Sequence, residues 1–309
     1  MTAATGQRRR SRISTKWVTI TVFLLPALAL YAVFVLVPVI QAAHYSLYKW
    51  NGLTALTDFI GLKNYVTALN SPTFTTSVGN NLLIIVLSLL IQIPFSLALA
   101  LILNRRFPGR AVFRLLFFLP YVLSEAITGI VFSLMLQPGS LFDSTLTSTG
   151  LGHLTQDWLG DSTLVMVTLF VIISWKYFGF HMILMLAGLQ GIPHEIEEAA
   201  LIDGAGRREV LRYITLPLLG PTIRVSVFLS MIGALQLFDM VWVMTGGGPL
   251  FASSTMSIAM FKAGFRTNQM GYGSALAVIL FLFGLVVALL YQRYVLRRDT
   301  EGAITTYGG

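Results

Sequence analysis

Three ionisable residues interrupt stretches of the chain that are otherwise apolar: Glu125, Lys176 and Asp239. Within a bilayer each such group costs a few kcal/mol by insertion scales, so each is a candidate functional residue. Three chemistries suit the set. The groups could relay protons through a carrier. They could bond or pair across helices and fix their packing, Glu125 and Lys176 lowering each other's burial cost if they face one another. They could also line a watery path for a polar solute. For that third role Gln236, Asn80 and Asn81 offer hydrogen bonds, and Tyr121, Trp175, Tyr177, Phe178, Phe180 and Trp242 offer ring faces. The pathway set drawn from these is Tyr121, Glu125, Trp175, Lys176, Tyr177, Gln236 and Asp239.

Other chemistries are excluded by what the chain lacks. No phosphate-cradling G-x-x-x-x-G-K-[S/T] loop is present, and no G-x-S-x-G nucleophile elbow. Gly204-Ala205-Gly206 and Gly271-Tyr272-Gly273 begin like dinucleotide fingerprints but lack the third glycine. His194 beside Glu195 lacks the second histidine of a zinc-protease helix, and the four histidines are scattered, so no metal site is expected. With no cysteine, disulfides, thiolate metal sites and thiol catalysis are ruled out.

The elements that must carry these residues follow from composition. The 309 residues are 55% hydrophobic and only 11% charged, against about 25% charged in a soluble domain. The apolar residues fall in blocks of roughly 20, the length that crosses a hydrocarbon core of about 30 Å as a helix. They do not alternate as barrel strands would. Six spans are expected, near 17–40, 82–103, 115–136, 164–189, 222–244 and 274–295. They form one membrane domain, 17–296, between a basic tail at 1–16 and a second tail at 297–309. The first apolar run exceeds 20 residues, longer than the 7–15 of a cleaved signal, and reads as a span.

Lysine and arginine set the orientation. Arg8, Arg9, Arg10, Arg12, Lys16, Arg105, Arg106, Arg110, Arg114, Arg207, Arg208, Arg212, Arg224, Arg293, Arg297 and Arg298 all fall on one side of this layout. Only Lys49, Lys63, Lys262 and Arg266 fall on the other. Both termini are therefore expected in the cytoplasm. The net charge of +8 is topological and calls for no nucleic-acid partner.

The fourth loop, 190–217, is the richest segment. Pro193 suits a helix start, and Glu195, Glu197 and Glu198 complement the positive end of that helix. Ala199, Ala200 and Leu201 favour helix, and Gly204 can end it. Arg207 to Tyr213 reads as a second amphipathic segment before Leu216-Pro217 leads into the fifth span. A membrane-surface helix pair is one reading. A docking helix is the other, with small Ala199, Ala200 and Gly204 admitting a partner and Glu198 and Asp203 meeting its basic groups.

The spacing here resembles the cytoplasmic signature of permease subunits of bacterial ATP-binding-cassette importers. That signature is Glu-Ala-Ala, three residues, Gly, nine residues, Ile, one residue, Leu-Pro, matched by Glu198-Ala199-Ala200, Gly204, Ile214 and Leu216-Pro217. Phe59 to Tyr65, Arg114 to Pro120, Ala187 to Pro193 and Leu237 to Pro249 resemble the carbohydrate branch, which handles di- and oligosaccharides and glycerol phosphates. The resemblance implies an all-α bundle of six transmembrane helices, the type I importer permease fold, in the bacterial plasma membrane. It implies a second related permease, two cytoplasmic ATPases and an extracytoplasmic sugar-binding protein. ATP and magnesium would act in the ATPases, leaving this chain without cofactor or enzymatic activity. The loop residues named above, with Asp203, would couple ATPase closure to the bundle. An ion-coupled carrier and an intramembrane enzyme are the alternatives. The signature argues against the first, and no convincing catalytic pair supports the second.

Overall fold

With no water in a bilayer core, backbone polar groups must be satisfied within the protein, and this chain does so almost wholly with helices. The computed structural model describes residues 12–105 and 107–296. Arg8, Arg9, Arg10, Arg106, Arg297 and Arg298, used above for orientation, lie outside them, as do 1–11 and 297–309 of the two tails. The long helices are α1 (Thr19–Tyr45), then, after short α2 (Lys63–Leu69), α3 (Pro72–Asn104). Helices α4 (Arg110–Val122) and α5 (Glu125–Met135) meet at 93°. Short α6 (Leu141–Ser148) precedes α7 (Val165–Gln190). Helix α8 (His194–Ile202) leads to α9 (Arg207–Gln236). Helices α10 (Asp239–Thr245) and α11 (Met256–Phe261) are short, and α12 (Met270–Leu296) closes the bundle. Among the described residues, five helices are long and apolar enough to cross a bilayer, or six if the bent α4–α5 pair is one span.

Helix α7 is the central post. Val165, Leu169, Met182 and Met185 on it have no exposed surface, and it packs against α3, α4 and α9. Close approach depends on Gly179. A Cβ there would lie 1.9 Å from the Phe117 carbonyl oxygen of α4, so any larger residue would push the two helices apart. Ser96 Oγ of α3 adds a hydrogen bond to the Phe178 carbonyl at 3.0 Å.

Prolines reshape three helices without ending them. A proline has no N–H to give to the carbonyl four residues back. Before Pro38, Pro94 and Pro217 the chain widens by one π turn, and Val37, Ile93 and Leu216 each bond five residues back, to Ala32, Ser88 and Leu211. Arg207 to Tyr213, expected as a second amphipathic segment, therefore does not stand apart from the fifth span. It is the opening of α9.

Two apolar blocks differ from the simple spans expected. The third breaks at Leu123–Ser124. The fifth runs as helix from Arg207 to Gln236, breaks, and resumes at Asp239. Apolarity decides that a segment enters the membrane, but backbone hydrogen bonding decides whether it stays one helix. Helix α1 packs on α12 through its last turns, Val37–Tyr45, and has no buried residue in its most apolar stretch. It is tied at its last turn, where Asn64 Nδ2 donates to the Ser46 and Tyr48 carbonyls at 2.8 and 3.0 Å and Tyr65 meets Ser46 Oγ at 2.6 Å.

Candidate functional site

Both helix breaks leave carbonyls without intrahelical partners. At the first, Lys176 of α7 supplies the donor. Its side chain is 2% exposed, and Nζ donates to the Leu123 carbonyl and, at 3.4 Å each, to those of Pro120 and Tyr121. At the second, donors come from both earlier and later in the chain. Asn81 Nδ2 donates to the Ala234 carbonyl at 2.6 Å, while its Oδ1 accepts from Met256 N–H at 2.9 Å. Thr255 Oγ1 donates to the Leu237 carbonyl at 2.9 Å. Next to it, Asn80 Nδ2 donates to the Ala252 and Ser254 carbonyls, both at 2.8 Å. The non-helical stretch Ser253 to Thr255 is thereby buried without stranding its backbone.

The two breaks face a common space. A cavity of about 420 Å³ is lined by Ser88 and Gln92 of α3, Tyr121 and Glu125 at the first break, and Gln236, Leu237 and Asp239 at the second. Helix α7 contributes Tyr177, Phe180 and His181, and α9 contributes Ser230. The Tyr177 hydroxyl donates to Glu125, His181 Nδ1 lies 2.7 Å from Ser226 Oγ, and Tyr121 stacks on Phe180 with centroids 4.8 Å apart. Glu125 and Asp239 each occupy the first turn of a half-helix, where a carboxylate meets the positive end of the peptide dipoles.

Of the seven pathway candidates, five line this cavity: Tyr121, Glu125, Tyr177, Gln236 and Asp239. The other two are not brought to it. Trp175 points to the outside of the bundle, edge-on to Phe132. Lys176, next along the same helix, is turned into the first break, where its hydrogen bonds go to backbone carbonyls and Glu125 is felt only through space. Asn80 and Asn81 are engaged with backbone as well, and Trp242 stacks on Phe238 away from the cavity. Gln92, Ser88 and His181 were not among the candidates. Their signal was present: Ser77, Asn81, Ser88, Gln92 and Ser96 recur at helical spacing, a polar stripe along α3.

A second cluster sits in the loop after α7. Helix α8 ends in a Schellman turn, in which Ala205 N–H reaches the Ala200 carbonyl at 2.9 Å and Gly204 N–H the Leu201 carbonyl at 3.2 Å. Gly204 has φ +92°, a conformation that requires glycine, and the space around it is open. Gly206 N–H donates to the Glu209 carboxylate at 2.6 Å as α9 begins. Thr215 Oγ1, in the π turn before Pro217, donates to Glu197 Oε1 at 2.7 Å and ties α8 to α9. Glu198, Ala199, Asp203 and Pro217 are exposed, Ala200, Ile214 and Leu216 half-buried. Ile202 is 86% exposed, so α8 presents an uncovered apolar edge. Loop and cavity lie at opposite parts of one helix, α9, which starts at Arg207 and reaches Gln236.

The model of the family described as binding-protein-dependent transport system inner membrane component matches residues 92–299. The chain belongs to this family. It is 32% identical to the multiple sugar-binding transport system permease protein MsmF of Streptococcus mutans, over 87% of this chain and 92% of the relative. It is 34% identical to the arabinooligosaccharides transport system permease protein AraP of Bacillus subtilis, over 87% and 85%. Among solved structures, a chain of a bacterial ABC transporter involved in the import of the acidic polysaccharide alginate has the same fold, with a TM-score of 0.79. That match is 24% identical and covers 93% of this chain and 97% of that one. Family membership makes the chain a multi-pass inner-membrane transport subunit rather than an enzyme, and it does not support the ion-coupled carrier.

Proposed function

We propose that this chain is one permease of an ATP-driven, binding-protein-dependent carbohydrate importer. A second, related permease would complete the pathway, two cytoplasmic ATPases holding ATP and magnesium would drive it, and an extracytoplasmic binding protein would deliver the sugar. The observation that carries the reading is the loop. Residues spaced as a coupling signature fold into one exposed helix and turn, and Thr215 fastens that unit to the helix that lines the cavity. Glu198, Ala199, Ala200, Asp203 and Gly204 form the docking face. Ile214, Leu216 and Pro217 belong to the π turn and the start of the helix above it, which pass the motion on. The concentration of arginine on the loop side supports cytoplasmic termini. The sugar-transport relatives support the carbohydrate class, and the uncovered α1 offers lipid or the second permease a surface.

Gentle affinity purification from native membranes, followed by mass spectrometry, tests this. An ATPase and a second permease are expected to co-elute. A chain that purifies folded and alone, and takes up solute on a proton gradient in vesicles, would overturn the reading.

A further inference from the structure

The cavity carries charge of one sign. Its lining includes Glu125 and Asp239 and no lysine or arginine. The lysine closest in sequence to the lining residues, Lys176, directs its ammonium into the carbonyls of the first helix break and acts on Glu125 only through space. The half-helix starts do not compensate. A free helix N-terminus attracts anions, but Glu125 and Asp239 already stand in the first turns of α5 and α10. An arriving carboxylate or phosphate would meet two fixed carboxylates in a confined space of lowered dielectric, where like charges repel more strongly than in water.

The rest of the wall suits uncharged hydroxyls. Ser88 and Gln92 are each 3% exposed and Ser230 is 9% exposed. All three line the cavity, and none of their side chains has a hydrogen-bond partner among the described residues. Buried polar groups are nearly always bonded to something, so these three are donors and acceptors awaiting a solute. The ring pair Tyr121 and Phe180 adds apolar surface beside them.

We propose that this chain's share of the pathway sorts cargo by charge: it accepts amine-bearing and neutral sugars and disfavours uronates and sugar phosphates. Glu125 and Asp239 make the discrimination, while Ser88, Gln92 and Ser230 hold hydroxyls of either accepted class. This rests on the importer reading above.

The test uses the whole detergent-purified transporter without its binding protein, so that the membrane site alone is read. Saturation-transfer NMR compares three trisaccharides of matched length: a glucosamine trimer, maltotriose and trigalacturonate. The expected order of affinity is glucosamine trimer, then maltotriose, then trigalacturonate, the last at least tenfold weaker than maltotriose. The paired variant E125Q/D239N is expected to cut the glucosamine preference and raise trigalacturonate binding, each by about tenfold relative to maltotriose bound by the same variant. Wild-type binding of trigalacturonate equal to that of maltotriose would overturn the charge filter and leave the importer reading standing, as would a folded variant with an unchanged order. Should the variant fail to fold, the wild-type order decides. If none of the three binds, the sugar pathway itself falls, and the charge filter with it.

Discussion

The loop around α8 and the two breaks inside the bundle solve the same problem by opposite means. Each must satisfy the carbonyls and N–H groups that a helix end exposes. The loop does so locally: Ala205 bonds to Ala200, Gly206 to Glu209 and Thr215 to Glu197, all within 18 residues. The breaks do so at long range. Lys176 is 53 to 56 residues from the carbonyls it holds, and Asn81 is 153 residues from Ala234 and 175 from Met256. Water explains the difference. The loop is exposed, so a lost bond there can be replaced by solvent. In the bundle nothing replaces it, and the donor must be built into another helix.

If that contrast holds, damage to the breaks should unfold the protein and damage to the loop should uncouple it. The largest effect is expected from Lys176→Met. It preserves bulk but leaves the Tyr121 and Leu123 carbonyls without a donor, at about 1 kcal/mol or more each, while the Pro120 carbonyl keeps only the Leu123 N–H. Monodisperse protein in detergent should fall sharply, and a Lys176→Met variant of ordinary thermal stability would break the comparison. Asn81→Leu comes next, at about 2–3 kcal/mol, because it strands both the Ala234 carbonyl and the Met256 N–H. A clear drop in the detergent melting temperature is the readout.

For the loop the expectation reverses. Gly204→Leu should cost about 1–2 kcal/mol for the left-handed backbone, with normal membrane insertion, yet abolish sugar uptake. Unimpaired uptake with the paired permease intact would count against coupling through α8. Thr215→Val removes the tie from Glu197 and should cost about 1 kcal/mol. The sharper consequence is ATP hydrolysis less tightly linked to uptake, measured as the ratio of the two rates in proteoliposomes. The smallest effect is expected at Asp161, in the exposed loop before α7. Its carboxylate is held below the usual aspartate range by the Thr163 hydroxyl and backbone N–H. A depressed folded value means that its stabilising contribution is present above about pH 4 and fades as pH falls through the folded value. Asp161→Asn should therefore narrow the difference in melting temperature between neutral and acidic buffer slightly.

The legibility of these regions in the sequence follows the same division. The signature could be read because its physics is contiguous: proline before the helix, acidic residues in its first turn, glycine at its end. The polar residues within the spans were visible as unusual, and five of the seven chosen for a pathway do line one cavity. The sequence could not say which way neighbours on one helix point in the finished bundle. Trp175, Lys176 and Tyr177 are consecutive, yet one faces outward, one enters the break and one lines the cavity. The stripe from Ser77 to Ser96 was also readable in principle. Along it Ser77 and Asn81 became structural, bonded to Ser254, Ala234 and Met256, while Ser88 and Gln92 face the cavity, a split that follows α11 packing beside the first half.

By itself the sequence determined the solvent each segment enters and the loop that closes on itself, because hydropathy and short-range hydrogen bonding are properties of neighbouring residues. The tertiary structure decided where the third and fifth blocks break and which buried polar groups are consumed in satisfying those breaks. It also decided which groups remain for a solute, because each of these choices depends on a donor and an acceptor brought together from distant parts of the chain.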